Sequence, residues 1–315
     1  MRTREWLVAC VGLTAHAVRA DEGGVSFWLP GEFGSLAAAP AEPGWSLPTL
    51  YYYTTAHAEN GDEFPLSGLV TAGLDASAGL LFVSPTYTFP TPLFGAQAAI
   101  SLGGALGRSK VNIEGTLTGP GGGVFSGSEH DSASGVSDLY PQFSLKWARG
   151  NHHVMAYTMW GVPVGDYDPE SLANLGTNHW SGDAGAGYTY LNGERKQEFS
   201  ATLGFTYNFE NADTNYQNGI DGHLDFAASH FVSPTCHVGV AGYAYVQLSG
   251  DHGEGATLGD FKSQVMGFGP QAGWFIGERK WYLNLKGYYE YNARNRPRGW
   301  NVWLTLEIPL TKSNS

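Results

Sequence analysis

The sequence predicts an all-β protein: a transmembrane antiparallel β-barrel of about twelve strands, preceded by a short N-terminal plug-like or strap segment. Three observations predict it. The chain is poor in charge and rich in small and aromatic residues, with 15% charged, 14% aromatic and 44 glycines in 315 residues. Ordinary globular chains carry roughly 25% charge and ~7% glycine. Apolar and polar residues alternate with period two over runs of ten or more, which makes strands with one greasy and one polar face. Short and long connections also alternate along the chain, the layout of a barrel with tight turns at one rim and long loops at the other.

The first element is a leader. Arg2 and Arg4 precede a short apolar stretch, Trp6 to Ala15, and Val18-Arg19-Ala20 puts small residues just before acidic Asp21 and Glu22. Residues 1–20 read as a secretory signal peptide cut after Ala20. That cut removes Cys10 and leaves Cys236, so no internal disulfide is expected.

Residues 21–46 do not alternate. Gly and Pro punctuate them too often for a long helix or strand. Yet Phe27, Trp28, Phe33, Leu36 and Trp45 call for burial. Two placements fit: a plug inside the barrel lumen built on those five residues, or a strap packed beneath the barrel.

Residues 47–310 form the barrel, in twelve runs: 47–57, 76–89, 96–107, 136–148, 151–163, 181–192, 197–210, 220–232, 236–249, 263–277, 280–294 and 299–310. The last is the cleanest, with Val302, Leu304, Leu306, Ile308 and Leu310 on one face. Soluble strands hold about 5–6 residues, whereas a tilted strand crossing a bilayer needs about 9–11. Trp147, Trp160, Trp274, Trp281 and Trp300 stand near run ends, where interfacial girdles form. An even strand count puts both barrel ends in the periplasm, beneath the outer membrane of a Gram-negative cell. Residues 311–315 are a polar tail. The connection 108–135 contains a strand-like stretch, Lys110 to Thr118, that either adds strands toward fourteen or forms a hairpin above the membrane.

Parity assigns the lumen. Lys146, Asn208, Glu210, Tyr243, Tyr245, Tyr282, Lys286, Tyr288 and Glu290 fall on the polar faces. A phenol offers an aromatic face and one hydroxyl, which suits small aromatic solutes. The same tyrosines also serve to fill a narrow barrel. Other functions find little support. A net charge of −12 argues against nucleic acid. Mean hydropathy is −0.21, and no apolar run of about 18 residues follows the leader, so membrane helices are not expected. No Gly-x-Ser-x-Gly elbow is present. Gly267-x-Gly269-x-x-Ala272 lies inside a strand pattern with no helix after it. The ten histidines show no ligand spacing. His230 and Ser229 fall on opposite strand faces, so they make no nucleophile–base pair. No cofactor, metal or enzymatic activity is expected.

One stretch carries a resemblance. Gly23-Gly24-Val25-Ser26-Phe27-Trp28-Leu29-Pro30-Gly31-Glu32-Phe33-Gly34-Ser35-Leu36-Ala37-Ala38, followed by Pro43-Gly44-Trp45, resembles the N-terminal signature of the family called "MetA-pathway of phenol degradation". Tyr51-Tyr52 and Asp138-Leu139-Tyr140-Pro141-Gln142 are similar to it as well. The resemblance spans essentially the whole mature chain. It implies an outer-membrane barrel linked to aromatic-compound catabolism. With the phenol-lined lumen, the expected role is passive passage of small, phenol-like solutes. The expected partners of such a barrel are outer-membrane lipid, the assembly machinery and those solutes. A closed structural or surface-interaction barrel is the alternative, and an outer-membrane lipid-modifying enzyme a third. The chain departs from outer-membrane barrels in general at its end, where Leu310 precedes a polar tail rather than a terminal Phe or Trp.

Overall fold

A computed structural model describes residues 26–58, 70–118, 124–169, 171, 173–256, 262–277 and 281–311. The expected signal peptide and residues 312–315 lie outside the described residues. The strands are β1 (Gly44–Ala58), β2 (Val70–Val83), β3 (Thr86–Thr88), β4 (Gln97–Thr118), β5 (Val124–Arg149), β6 (His152–Gly161) and β7 (Ser181–Asn192). They continue as β8 (Gln197–Asn208), β9 (Asp221–Ser233), β10 (Cys236–Gln247), β11 (Gln264–Ile276), β12 (Trp281–Arg294) and β13 (Arg298–Pro309). Each pairs antiparallel with its neighbour, and β13 closes on β1 from Ser46↔Pro309 to His57↔Arg298.

Thirteen strands make twelve staves. β2 and β3 pair in succession with β1 and with β4, so they are one stave broken at Ser84-Pro85. Proline has no N–H to give the ladder, which is why the break falls there.

The turns explain the registers. Phe94 and Gly95 both have positive φ, 53° and 73°, and Leu93 and Ala96 exchange both backbone hydrogen bonds. This is a tight hairpin of the type whose twist matches the strands. It lies in the connection between the runs 76–89 and 96–107, just past Pro90 and Pro92. Gly150, with φ 59°, turns β5 into β6. Asn192 Oδ1 accepts the Arg195 N–H in the next turn. These connections share one rim, the turn end; the others, most of them longer, share the loop end.

The connection 108–135 is a hairpin. β4 and β5 stay paired from Leu106↔Val136 out to Thr118↔Val124, beyond the end of β6. It adds no stave.

The two faces of β8 show why the barrel sits in lipid. Outward Leu203 and Phe205 are each 50% exposed, while inward Glu198, Ser200, Thr202, Thr206 and Asn208 are buried. Outward apolar side chains run from Phe199 to Phe209. Ten residues at about 3.3 Å, tilted about 45°, cover roughly 23 Å of depth, close to the ~25 Å apolar band of such barrels. In water this face would be one continuous apolar patch.

Candidate functional site: the lumen and its N-terminal segment

Residues 26–43 run inside the barrel, from near the loop end at Phe27 to the turn end at Pro43. Leu29-Pro30-Gly31-Glu32 makes a turn closed by the Glu32 N–H on the Leu29 carbonyl, 3.2 Å. Pro30 sets the first corner, and Gly31 at φ 93° supplies the second. A Cβ on Gly31 would stand 3.0 Å from ring atoms of both Tyr243 and Tyr288.

This turn is clamped from two sides. Asp225 on β9 accepts the Gly31 and Phe33 N–H groups, one on each carboxylate oxygen, both at 3.0 Å. Lys286 on β12 donates to the carbonyls of Gly31 and Glu32, at 2.7 and 2.9 Å. An anion collects donors and a cation collects acceptors, so the turn's backbone is satisfied without secondary structure of its own.

Other strands hold the rest. Glu198 on β8 accepts from the Ser35 hydroxyl at 2.7 Å and the Leu36 N–H at 2.9 Å. Thr189 on β7 accepts the Ala38 N–H at 3.0 Å. Lys146 on β5 donates to the Ala39 carbonyl at 3.1 Å. Gln97 on β4 exchanges two hydrogen bonds with Ala41.

Toward the loop end the segment turns aromatic. Trp28 stacks on His223 at 3.6 Å between ring centres, Phe33 meets Tyr157 edge-on at 5.2 Å, and Phe27 packs on Tyr140 at 5.9 Å. His223 is fixed by Asp183 at 2.9 Å, and Thr206 donates to the same carboxylate oxygen at 2.6 Å. Gly161 leaves room for the Phe27 ring, which would lie 2.8 Å from a Cβ there.

Most of the residues assigned to the lumen by parity do face it. Tyr243 donates to Glu290 at 2.8 Å and accepts from Asn301 at 2.9 Å. Tyr245 and Tyr288 are buried, Tyr282 meets His237 at 3.0 Å, and Asn208 donates to Asp221 at 2.9 Å. Phe27, Trp28, Phe33 and Leu36 lie in the inner segment.

Two assignments need correction. Trp45 is not part of the inner segment: it stands in β1, 52% exposed on the outer face, against Tyr87. The strand begins at Gly44, where pairing with β3 captures it. Glu210 lies past the end of β8 and is exposed, because the inward parity stops with the ladder at Asn208.

Sequence reasoning missed Asp183, Glu198, His223 and Asp225, which parity alone would have placed inward. It also missed the Ser229–His237 contact of 3.1 Å, a cross-strand pair inside the lumen. Ser229 also meets Ser35 and Gln271, so its hydroxyl belongs to the web that seats the segment.

The inner space is uneven. Inward side chains at mid-height on β6 to β13 are buried, whereas Leu50 on β1, Phe82 on β2, Ser101 on β4 and Gln142 on β5 keep partial exposure. Above, loops fold back on the rim. Asp138 accepts the Gly165 and Thr177 N–H groups at 2.9 and 2.8 Å. Asp251 accepts from Tyr216, Gly219 and Gln247. Burial pushes the Asp251 carboxyl above its ordinary range and holds His179, in the loop before β7, below its own. Among the described residues no group of three or more His, Cys, Asp or Glu is arranged to hold a metal ion.

Residues 51–306 match the model of the family described as "Putative MetA-pathway of phenol degradation"; the inner segment precedes the matched range. The fold is similar to the crystal structure of the COG4313 outer membrane channel from Pseudomonas putida F1, at 15% identity and TM-score 0.67, over 89% of this chain and 99% of that one. The translocator domain of the autotransporter NalP from Neisseria meningitidis aligns at 8% identity and TM-score 0.42, over 87% and 91% of the two chains. A Pseudomonas aeruginosa FadL homologue aligns at 10% and 0.39, over 95% and 98%. A comparison with curated proteins gave no match.

Proposed function

The chain belongs to the family described as "Putative MetA-pathway of phenol degradation", and from that premise we propose that its outer-membrane barrel is a gated channel for passive uptake of small aromatic, phenol-like solutes. In this reading the loops face outward and the turns face the periplasm. Residues 26–43 are the gate. The observation that carries it is the way the segment is held: through Asp225, Lys286, Glu198, Thr189, Lys146 and Gln97. Such polar groups can exchange a backbone partner for water when the segment moves, at a modest net cost per hydrogen bond of about 0.5–3 kcal/mol. The part-exposed Leu50, Phe82, Ser101 and Gln142 mark the side along which solute passes. Tyr140 and Phe33 offer it aromatic faces.

Single-channel conductance in a planar bilayer tests this. The expected result is small, infrequent steps in the wild type, reduced by added phenol, and larger or more frequent steps in Asp225→Ala. Steady closure in both would favour the second reading, a closed structural barrel. That reading has its own support in the burial of Trp28, Tyr243, Tyr288 and Trp303 at mid-height.

A further inference from the structure

The loop end carries its charge in two sectors. The sequence has no Lys or Arg in residues 111–145, 150–194 or 197–261. Those stretches supply the loop-end rim from β5 to β10. Three carboxylates there are spent on the protein itself: Asp166 accepts the Val136 N–H, Asp138 holds Thr177, and Asp251 holds Gly219.

The remaining sector, β11–β12–β13–β1–β2–β4, is continuous through the closing pair. All six basic residues of the loop end are on it: Arg108, Lys110, Lys262, Arg294, Arg296 and Arg298. Lys262 donates to the Leu248 carbonyl, and Arg296 turns in over the Tyr245 ring at 5.4 Å. The other four are exposed. Register places Arg298, Lys110 and Arg108 in one outward row, and Arg294 stands beside it, opposite Gln264 of β11. Arg298 stands opposite His57, His57 opposite Asp75, and Lys110 and Arg108 opposite Ser77 and Gly79 of β2. Asp75 also stands in the row, and it is paired to His57.

Height fixes what they meet. On β4 the outward residues run Ile100, Leu102, Leu106, then Arg108 and Lys110. On β13, Arg298 is two residues beyond outward Trp300, which packs on Tyr53 at 5.4 Å. The row therefore begins where the apolar band and its aromatic girdle end, at headgroup level.

We propose that Arg108, Lys110, Arg294 and Arg298 form a binding surface for the phosphate groups of lipid headgroups in the leaflet at the loop end. Guanidinium forks match phosphate oxygens in pairs. Each basic side chain near an anionic membrane surface is worth about a fivefold change in affinity. The surface continues the lipid-facing wall and depends on that wall alone, not on whether the lumen conducts.

The test uses the full-length protein, delipidated in neutral detergent, and native mass spectrometry. The probes are diphosphoryl lipid A, the same lipid without its phosphates, and inorganic phosphate alone. Folding is checked by the heat-dependent gel shift of each variant. The expected result is binding of the phosphorylated lipid at least tenfold tighter than of the dephosphorylated one. R108Q/K110Q and R294Q/R298Q each weaken it about 25-fold, the fourfold variant more than about a hundredfold, and R195Q/K196Q at the turn end not at all. Unchanged binding in a folded fourfold variant would overturn the proposal, as would an equal loss in R195Q/K196Q. Tight binding of inorganic phosphate with no preference for the lipid would assign the row to free anions and overturn it equally.

Discussion

At the residue scale, the gate's seating concentrates on two side chains. Asp225 and Lys286 grip the same turn from opposite charges, so their effects are expected to overlap rather than add. Removing either leaves a lumen charge without its partner, at about 2–4 kcal/mol. The double variant Asp225→Ala, Lys286→Met is expected to cost clearly less than the sum of the two singles. A double-mutant cycle read on Ser35→Cys labelling rates checks this; strict additivity would mean the two grips are independent. Gly31→Ala is the complementary probe. Positive φ and two tyrosine rings at 3.0 Å oppose the methyl, and together they cost about 1–3 kcal/mol. The expected outcome is a gate open roughly tenfold more often in bilayer recordings, with an unchanged barrel melting transition.

At the element scale, the alternation of faces made the staves readable, and their ends were the weaker part. β7 runs over the residues the pattern assigned, whereas β4 and β5 extend far past it. Their extension reads Gly- and Ser-rich, because a hairpin above the membrane has no lipid to face. Its β4 arm also pairs with β2, from Leu80↔Gly107 to Val70↔Leu117, but the pairs from Leu81↔Leu106 to Val83↔Gly104 and those of β3 with β4 lie below it and hold that seam without it. Replacing residues 107–135 with Asn-Gly is expected to leave a closed, heat-modifiable barrel whose circular dichroism still shows strand. Failure to close would show that the hairpin nucleates the sheet. The Ser84-Pro85 break was likewise hidden in the sequence, since Pro85 sits inside an otherwise continuous run and only its neighbours' pairing reveals one stave in two pieces.

At the scale of the whole molecule, the lumen is filled by the chain's own beginning. Deleting residues 26–43 removes the turn that satisfies Asp225 and Lys286 but leaves all twelve staves paired. The expected result is a folded barrel with conductance several-fold above wild type. A folded deletion variant that stays silent would locate the closure in the loops and lumen tyrosines and sink the gating proposal. Loss of heat-modifiable folding would show instead that the segment is needed to close the barrel around it.

The sequence by itself determined the class of fold, an even count of staves near twelve, the face each strand turns to the lumen, and the aromatic segment that must be buried. All of these follow from local rules: a period of two, the chemistry of turns, and the cost of leaving aromatic rings in water. Tertiary structure alone decided which partners meet. Gly31 finds Asp225 and Lys286 at separations of 194 and 255 residues, through a register and closure that no local pattern encodes. The same holds for Trp45, claimed by β1 when β3 and Thr311 pair around it. It holds for Glu210, left outside where the ladder ends, and for the basic row, which exists because β13 closes on β1. Parity tells which way a side chain points; only the closed barrel sets what lies across from it.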